Sequence, residues 1–156
     1  GRRLARLREE LARYFHPDAF VHPLPDEGEE AIIRRLGAPL VRAGLIGDDY
    51  VENTIIRERM SSTAFTDALA VPHALQMTAA RTAIALGVAE GSAAWGDGRV
   101  QVVALAAFSE SDRAAFQTVF EQLVEVFSER ESVQRIVRRS ATFEGFLDEL
   151  VAVIDG

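Results

Sequence analysis

The spacing of apolar residues along this chain changes character twice. Before residue 62 the apolar residues recur every three or four positions, which is typical of amphipathic helices. The segments "LAVP", "RTAIALGVAE" and "VQVVALAAFS" that follow are short and apolar, so we expect strands there. The last third of the chain returns to helical spacing. Strands enclosed between helical segments predict an α/β fold, a three-layer α/β/α sandwich whose mixed β-sheet is flanked by helices.

The first helical segment is followed by a stretch rich in proline. Leucines at intervals of three and four predict an amphipathic helix over residues 1–15, which is either part of the core or a connector helix from an upstream domain. The stretch "HPDAFVHPLPDEGEE" has three prolines in nine residues, so we expect a loop with one short strand around Phe20 and Val21.

Acidic residues and glycines mark the ends of the next elements. Asp26 with Glu29 fits a capping box for a helix that ends before Gly44. Asp48 or Asp49 is expected to cap the following helix, which ends just before residue 61. The glycines of "GSAAWGDG" predict a hairpin turn between two of the strands.

Composition limits the classes of protein and partner. The length of 156 residues suits one domain, residues 1–156, and the first residue is Gly instead of Met, so we expect a piece of a longer protein. A net charge of −7 argues against nucleic-acid binding, and the longest apolar run is too short to cross a membrane. The chain lacks cysteine and opens on a charged helix, which predicts a cytoplasmic location without disulfides. We predict no metal ion and no cofactor.

The three histidines differ in their surroundings. His16 and His22 lie in the proline-rich stretch, where we expect them to be solvated, because two histidines in such a loop do not make a metal site. His73 follows a predicted strand and Pro72, which places it at the end of a strand, where ligands gather in α/β sheets. A lone histidine in that position is more often structural than functional.

The residues before His73 leave two interpretations open. Arg57 and Arg59 close a helix, and Ser62 and Thr63 follow with hydroxyl groups. One interpretation is a capped helix end with a polar turn. The other is a site for a tetrahedral anion, in which a histidine nitrogen accepts a phosphoryl group and a guanidinium neutralises its oxygens.

The segment "RERMSSTAFTDALAVPHAL" closely resembles the active-site segment of type-2 EIIA domains of the sugar phosphotransferase system, the fructose and mannitol group. The resemblance implies that His73 is the phosphorylated histidine and Arg57 the arginine of the active site. It places Glu58 beside Arg57 in an Arg-Glu pair and assigns Ser62 and Thr63 as hydroxyl groups that bind the phosphate. The likeness extends over nearly the whole chain and implies the same α/β sandwich.

Within this family the phrasing "SSTAF" is most similar to EIIA-like domains at the C-terminus of transcription antiterminators and activators. That resemblance implies a regulatory phosphoacceptor, phosphorylated on His73 by the carrier HPr, with regulatory domains upstream in the same chain. The alternative is a transport EIIA that passes the phosphoryl group to a fructose- or mannitol-type EIIB. A third possibility is a binding module that keeps only the fold, so the sequence leaves enzymatic activity open.

One position departs from the transport members of the family. They carry a second histidine near the start of the helix after "VVALAAFSES", and the corresponding residue here is Phe116. An aromatic ring without a polar atom cannot donate a hydrogen bond to a phosphoryl oxygen. The departure favours phosphate uptake at His73 without efficient transfer to an EIIB cysteine.

Overall fold

The computed structural model describes residues 1–156, except for the side chain of Ala115. The order of elements is helix, strand, two helices, three strands and three helices. In chain order they are α1 (Arg2–Ala12), β1 (Phe15–Val21), α2 (Glu29–Arg42), α3 (Asp48–Met60), β2 (Leu69–Ala70), β3 (Thr78–Trp95), β4 (Gly98–Ser109), α4 (Arg113–Val126), α5 (Arg130–Arg139) and α6 (Phe143–Asp155), with a short 3-10 helix, Glu110–Asp112, before α4.

The four strands form one mixed sheet in the order β1-β3-β4-β2. The long central strands β3 and β4 are antiparallel and end in a tight turn, where Trp95 pairs with Gly98, which confirms the predicted hairpin. The outer strands β1 and β2 each run parallel to the central strand beside them. The sheet is therefore mixed, as expected.

Side chains alternate between the two faces of the sheet, as the period of a strand requires. Ile84 and Leu86 of β3 belong to one buried cluster with residues of α1, α4, α5 and α6. Ala83 and Ala85 belong to a second cluster with residues of α2 and α3. Helices thus cover both faces, and the predicted three-layer α/β/α sandwich is confirmed.

Strand β1 is longer than predicted. It begins at Phe15, which pairs with Ile84 of β3, and extends to Val21. Residues 16–19, which were expected to form a loop, are therefore part of the strand. A proline is tolerated here because β1 lies at the edge of the sheet, and the pairing shifts register between Phe15 and Phe20. The expectation of a short strand around Phe20 and Val21 was therefore too narrow.

The predicted acidic caps were wrong. Helix α2 is preceded by Gly28, whose φ of 93° is one that glycine adopts without strain, and no side chain caps it. The Asp26 carboxylate instead accepts a hydrogen bond from the amide of Ala94 at 2.9 Å and one from Arg99 at 2.5 Å. These contacts hold the pKa of Asp26 below its usual value. Helix α3 likewise follows Gly47, and its two aspartates lie in the first turn.

The expectation of solvated loop histidines also needs correction. His16 lies within β1 and is only partly exposed, and its Nδ1 atom is buried without a hydrogen-bond partner among the described residues. His22 directly follows the strand and is partly buried. Across the part of the chain that the structure describes, no helix has the length and apolar character needed to span a bilayer.

Candidate functional site

His73 lies where the chain leaves β2 and runs beside β4. The carbonyl oxygen of Pro72 accepts a hydrogen bond from the amide of Ala106 at 2.9 Å, and His73 forms an isolated parallel bridge with Ala106. Pro72 has no amide hydrogen to continue a ladder, so the strand ends there. The result is a partly buried histidine that is held by the backbone at the end of a strand.

A backbone hydrogen bond orients the His73 ring. The Nδ1 atom lies 2.8 Å from the carbonyl oxygen of Val71, two residues earlier. A carbonyl oxygen only accepts, so Nδ1 carries the proton and donates it, and the neutral ring keeps its lone pair on Nε2. The geometry therefore leaves Nε2 as the ring nitrogen with a free lone pair.

Glu58, near the end of α3, is a buried carboxylate that receives three hydrogen bonds. Its Oε2 atom accepts from the amide of Thr63 at 2.7 Å and from the indole Nε1 of Trp95 at 3.1 Å. Its Oε1 atom accepts from the Thr63 hydroxyl at 2.5 Å. Only 8% of Glu58 and 2% of Thr63 are exposed. Glu58 thus joins α3, the segment before His73 and the β3–β4 hairpin.

This anchoring continues to His73 through the backbone. The amide of Val71 donates to the carbonyl oxygen of Thr63 at 3.0 Å. The carbonyl oxygen of Val71 in turn accepts from the His73 ring. A connected set of hydrogen bonds therefore leads from the Glu58 carboxylate through Thr63 and Val71 to Nδ1 of His73.

Tyr50 of α3 supports the other side of the site. Its hydroxyl donates to the carbonyl oxygen of Ala106 at 2.8 Å and accepts from the amide of Phe108 at 3.1 Å. The Phe108 ring meets the His73 ring edge to face, with centroids 5.6 Å apart. Burial raises the pKa of the Tyr50 hydroxyl, and the hydrogen bonds from the amides of Phe108 and Ala74 oppose that shift.

A cavity of about 360 Å³ opens beside the His73 ring. Most of its lining is apolar, and the polar side chains besides His73 are those of Arg113 and Gln117 of α4. The Phe116 ring, 3% exposed, packs against Phe108 with centroids 4.8 Å apart. The lining consists of Phe65, His73, Ala74, Leu75, Met77, Phe108, Arg113, Phe116, Gln117 and Phe120.

The structure separates Arg57 from this cavity. Its Nη1 atom donates to the carbonyl oxygen of Ser61 at 2.9 Å and lies 3.3 Å from the Ser61 hydroxyl oxygen. Arg57 therefore caps the end of α3. Among the residues that the structure describes, it does not line the cavity beside His73.

The two predicted hydroxyl groups are also placed differently from each other. Thr63 is buried, and its hydroxyl is bound to Glu58. Ser62 is exposed, accepts from the amide of Ala64 at 3.2 Å and lies against the β3–β4 turn. An added Cβ at Gly96, which has φ +59°, would lie 2.8 Å from the Ser62 hydroxyl oxygen, so this close approach suits a glycine.

A second hollow, of about 530 Å³, lies at the start of α2. Both arginines of its lining are paired with Glu30, which accepts from Arg59 at 2.9 Å and from Arg34 at 3.2 Å. These hydrogen bonds hold the pKa of the Glu30 carboxyl below its usual value. Because both arginines are already paired, this hollow suits an anion less than the cavity beside His73.

Sequence analysis missed several residues of the site. Tyr50, Phe108, Arg113 and Gln117 belong to elements far from His73 in the chain, and their local patterns indicate only helix or strand. Glu58 was not missed, because the motif placed it beside Arg57 in an Arg-Glu pair. Its three hydrogen bonds, however, could not be predicted from the sequence.

Comparison with known families agrees with the fold. The family model described as "Phosphoenolpyruvate-dependent sugar phosphotransferase system, EIIA 2" matches residues 13–150. The chain therefore belongs to this family of type-2 EIIA domains. The family indicated by the segment around His73 is confirmed.

Curated relatives are longer proteins. The chain is 31% identical over 140 residues to "Multiphosphoryl transfer protein" of Escherichia coli O157:H7, a match that covers 87% of this chain and 35% of that protein. It is 27% identical over 119 residues to "Transcriptional regulator ManR" of Bacillus subtilis (strain 168), covering 75% of this chain and 18% of that protein. The chain thus spans between about a fifth and about a third of these relatives.

Solved structures share the fold at low sequence identity. The complex of enzyme IIAMTL and phosphorylated enzyme IIBMTL from Escherichia coli contains a chain that matches with a TM-score of 0.74 at 18% identity, covering 88% of this chain and 99% of that one. Nitrogen Regulatory Protein IIA-Ntr from Neisseria meningitidis matches with a TM-score of 0.74 at 17% identity, covering 92% and 98%. These likenesses establish the fold.

Proposed function

We propose that this domain is a regulatory phosphoacceptor, phosphorylated reversibly on Nε2 of His73 by the phosphohistidine of the carrier HPr. Phosphate occupancy at His73 then adjusts a transcriptional regulator of sugar utilisation through regulatory domains of the same protein. The proposed reaction takes place in the cytoplasm, the location that the sequence analysis expects.

The transfer balances without a further reactant. The lone pair of Nε2 forms the new N–P bond while the bond between phosphorus and the donor nitrogen breaks. The electron pair of that bond returns to the imidazole of HPr. The Nδ1 proton stays on His73, where its hydrogen bond to the Val71 carbonyl oxygen strengthens as the ring gains positive character.

The observation that carries this proposal is the hydrogen bond between His73 Nδ1 and Val71 at 2.8 Å. It selects the tautomer in which Nε2 is free to attack, and it does so before any partner binds. The cavity beside the ring supplies space for a phosphoryl group. A histidine that served only in packing would not need a fixed tautomer beside an open cavity.

The roles of the remaining predicted site residues are part of the proposal. Arg57 is proposed to stabilise the charge that spreads over the phosphoryl oxygens during transfer. Because Arg57 holds Ser61 in the free domain, this role requires it to release that contact when the donor docks. Ser62 is proposed to bind a phosphoryl oxygen in the same complex, whereas Thr63 acts through its hydrogen bond to Glu58.

Two observations favour regulation over transport. Phe116 lines the cavity beside His73, where a second histidine would serve onward transfer. Two of the relatives are "Transcriptional regulator ManR" and "Probable licABCH operon regulator" of Bacillus subtilis (strain 168), the latter 23% identical over 131 residues. Both are much longer than this chain, which fits a domain of a larger regulator.

The alternative is a transport component that passes the phosphoryl group from HPr to a fructose- or mannitol-type EIIB. The 31% identity to "Multiphosphoryl transfer protein" favours it. The structural neighbour in a complex with phosphorylated enzyme IIBMTL shows the fold beside such a partner. The two functions differ in the fate of phospho-His73, which transport discharges to a cysteine and regulation retains.

A phosphorylation assay tests the proposal. The protein is incubated with phosphoenolpyruvate, enzyme I and HPr, and acid-labile phosphate is counted by intact mass. We expect one phosphate on the wild type and on His22→Ala, and none on His73→Ala. Labelling that persists in His73→Ala would overturn the assignment.

A further inference from the structure

We propose that Arg113 and Gln117 of α4 bind the oxygens of the phosphoryl group on His73, an inference that rests on the proposed function. Both side chains line the cavity beside the His73 ring. They are the polar groups in a lining that is otherwise apolar apart from His73 itself. Nothing in the sequence pattern assigns them to the site.

Their position on α4 suits a shared ligand. Arg113 is the first residue of the helix and Gln117 follows four residues later, so the two side chains lie on one face about one turn apart. Phe116 and Phe120 of the same helix form apolar parts of the cavity wall. The cavity therefore presents two polar groups side by side against an aromatic background.

The start of helix α4 also lies beside the cavity. Asp112 precedes the helix, and its carboxylate accepts a hydrogen bond from the amide of Thr82 in β3 at 3.1 Å. That side chain does not cap the first turn of α4. Since Arg113 and Phe116 of the first turn border the cavity, the positive end of the helix lies at its edge.

Arg113 is available to bind a phosphoryl group. Its ion pair with Glu110 spans 3.7 Å, and both side chains are more than 70% exposed, so the pair contributes little. A phosphoryl dianion offers Arg113 a forked contact to two oxygens. That contact is stronger than an ion pair with one exposed carboxylate at 3.7 Å. Arg57, by contrast, is held by Ser61 and lies outside the cavity lining.

The division of roles follows from these contacts. During transfer the phosphorus carries three equatorial oxygens that share the negative charge. Once the N–P bond to Nε2 has formed, Arg113 contacts two of these oxygens and the Gln117 amide donates to the third. Arg113 thereby stabilises the phosphorylated state in the absence of a partner.

The inference is tested with phosphoramidate, a small donor that phosphorylates histidine without a partner protein. The second ionisation of the phosphoryl group on His73 is titrated by phosphorus-31 NMR in the wild type, Arg113→Ala, Arg113→Lys and Gln117→Ala. Loss of a neighbouring cation raises the pKa of a phosphate, so we expect Arg113→Ala to shift it upward by about one unit. Arg113→Lys keeps the positive charge, so the pKa of the phosphoryl group should stay close to that of the wild type. Gln117→Ala should shorten the half-life of the phosphohistidine.

Arg130→Ala is the matched control, because Arg130 is the exposed first residue of α5 and does not line this cavity. It should match the wild type in both measurements. A wild type that no donor phosphorylates on His73 would overturn the proposed function. A phosphorylated wild type whose pKa and half-life are unchanged in Arg113→Ala would overturn this inference alone.

Discussion

The hydroxyl of Tyr50 receives the amide hydrogen of Phe108 at 3.1 Å, and thereby fixes the residue whose ring stands edge-on to His73. The same hydroxyl donates to the carbonyl oxygen of Ala106, the bridge partner of His73 in β4. One buried side chain of α3 therefore holds two points of β4 around His73, the proposed site of phosphorylation.

Tyr50→Phe is expected to destabilise the fold by about 1–3 kcal/mol, because it leaves buried backbone groups without a partner. The measurement is urea unfolding, with Tyr14→Phe as the control that removes the other tyrosine hydroxyl. If the two variants are equally stable, the hydroxyl of Tyr50 is not a structural link.

Tyr50 also gives the fold a dependence on alkaline pH. Burial raises the folded pKa of Tyr50 above the ordinary value of 10.0, so the unfolded chain loses this proton first. The contribution to stability is therefore complete below about pH 10 and is lost as the pH rises through the folded pKa. Between about pH 9 and about pH 11, the free energy of unfolding should fall more in the wild type than in Tyr50→Phe. Equal falls in both proteins would contradict the assigned cause.

Glu58 connects three parts of the site, and its removal should disturb all three. A glutamine keeps the shape but cannot accept all three hydrogen bonds, so we expect Glu58→Gln to cost about 1–3 kcal/mol. Trp95, the single tryptophan, should report the lost indole hydrogen bond as a change in fluorescence. Nitrogen-15 NMR should show a smaller fraction of the Nδ1-protonated tautomer of His73.

Glu52→Gln is the matched control for this experiment. Glu52 belongs to the same helix, but it is exposed and pairs with Arg34 at 2.5 Å. Its substitution should change stability by less than about 1 kcal/mol and leave the His73 tautomer untouched. A Glu58→Gln protein with wild-type fluorescence and tautomer would show that the connection does not position His73.

The layered fold could be predicted from the sequence because it depends on local spacing. Strands alternate between faces with a period of two and helices repeat every three to four residues, and both patterns are visible in single segments. The start of β1 and the role of Asp26 escaped prediction for the opposite reason. Phe15 pairs with Ile84, and Asp26 binds Arg99, so the decisive partners lie about 70 residues away.

The residues of the site likewise fall into those that the sequence could indicate and those that it could not. His73, Arg57 and Thr63 lie within one continuous segment, which is why a motif could indicate them. The cavity wall from α4 and the link from Tyr50 to Phe108 depend on how distant elements pack. Local sequence carries no signal for such contacts.

The effect of Phe116 on onward transfer tests whether the domain is a regulator or a transporter. The wild-type phosphoprotein should pass little phosphate to a fructose- or mannitol-type EIIB yet return it readily to HPr. Phe116→His should raise transfer to EIIB. The control is Phe127→His, because Phe127 follows the same helix and is buried but does not line the cavity beside His73. Because truncating a buried Phe to Ala costs about 3–5 kcal/mol, the melting temperature of each variant is measured alongside. Rapid and nearly complete transfer by the wild type in quench flow would instead support the transport function.

The most direct test of the central claim is the site of the phosphorus–nitrogen bond in the phosphorylated domain. Protein labelled with nitrogen-15 is phosphorylated by HPr, and coupling between phosphorus-31 and the ring nitrogens of His73 is recorded by NMR. The hydrogen bond from Nδ1 to Val71 predicts coupling to Nε2, with the proton retained on Nδ1. Coupling to Nδ1, or phosphate on His16 or His22, would contradict the account.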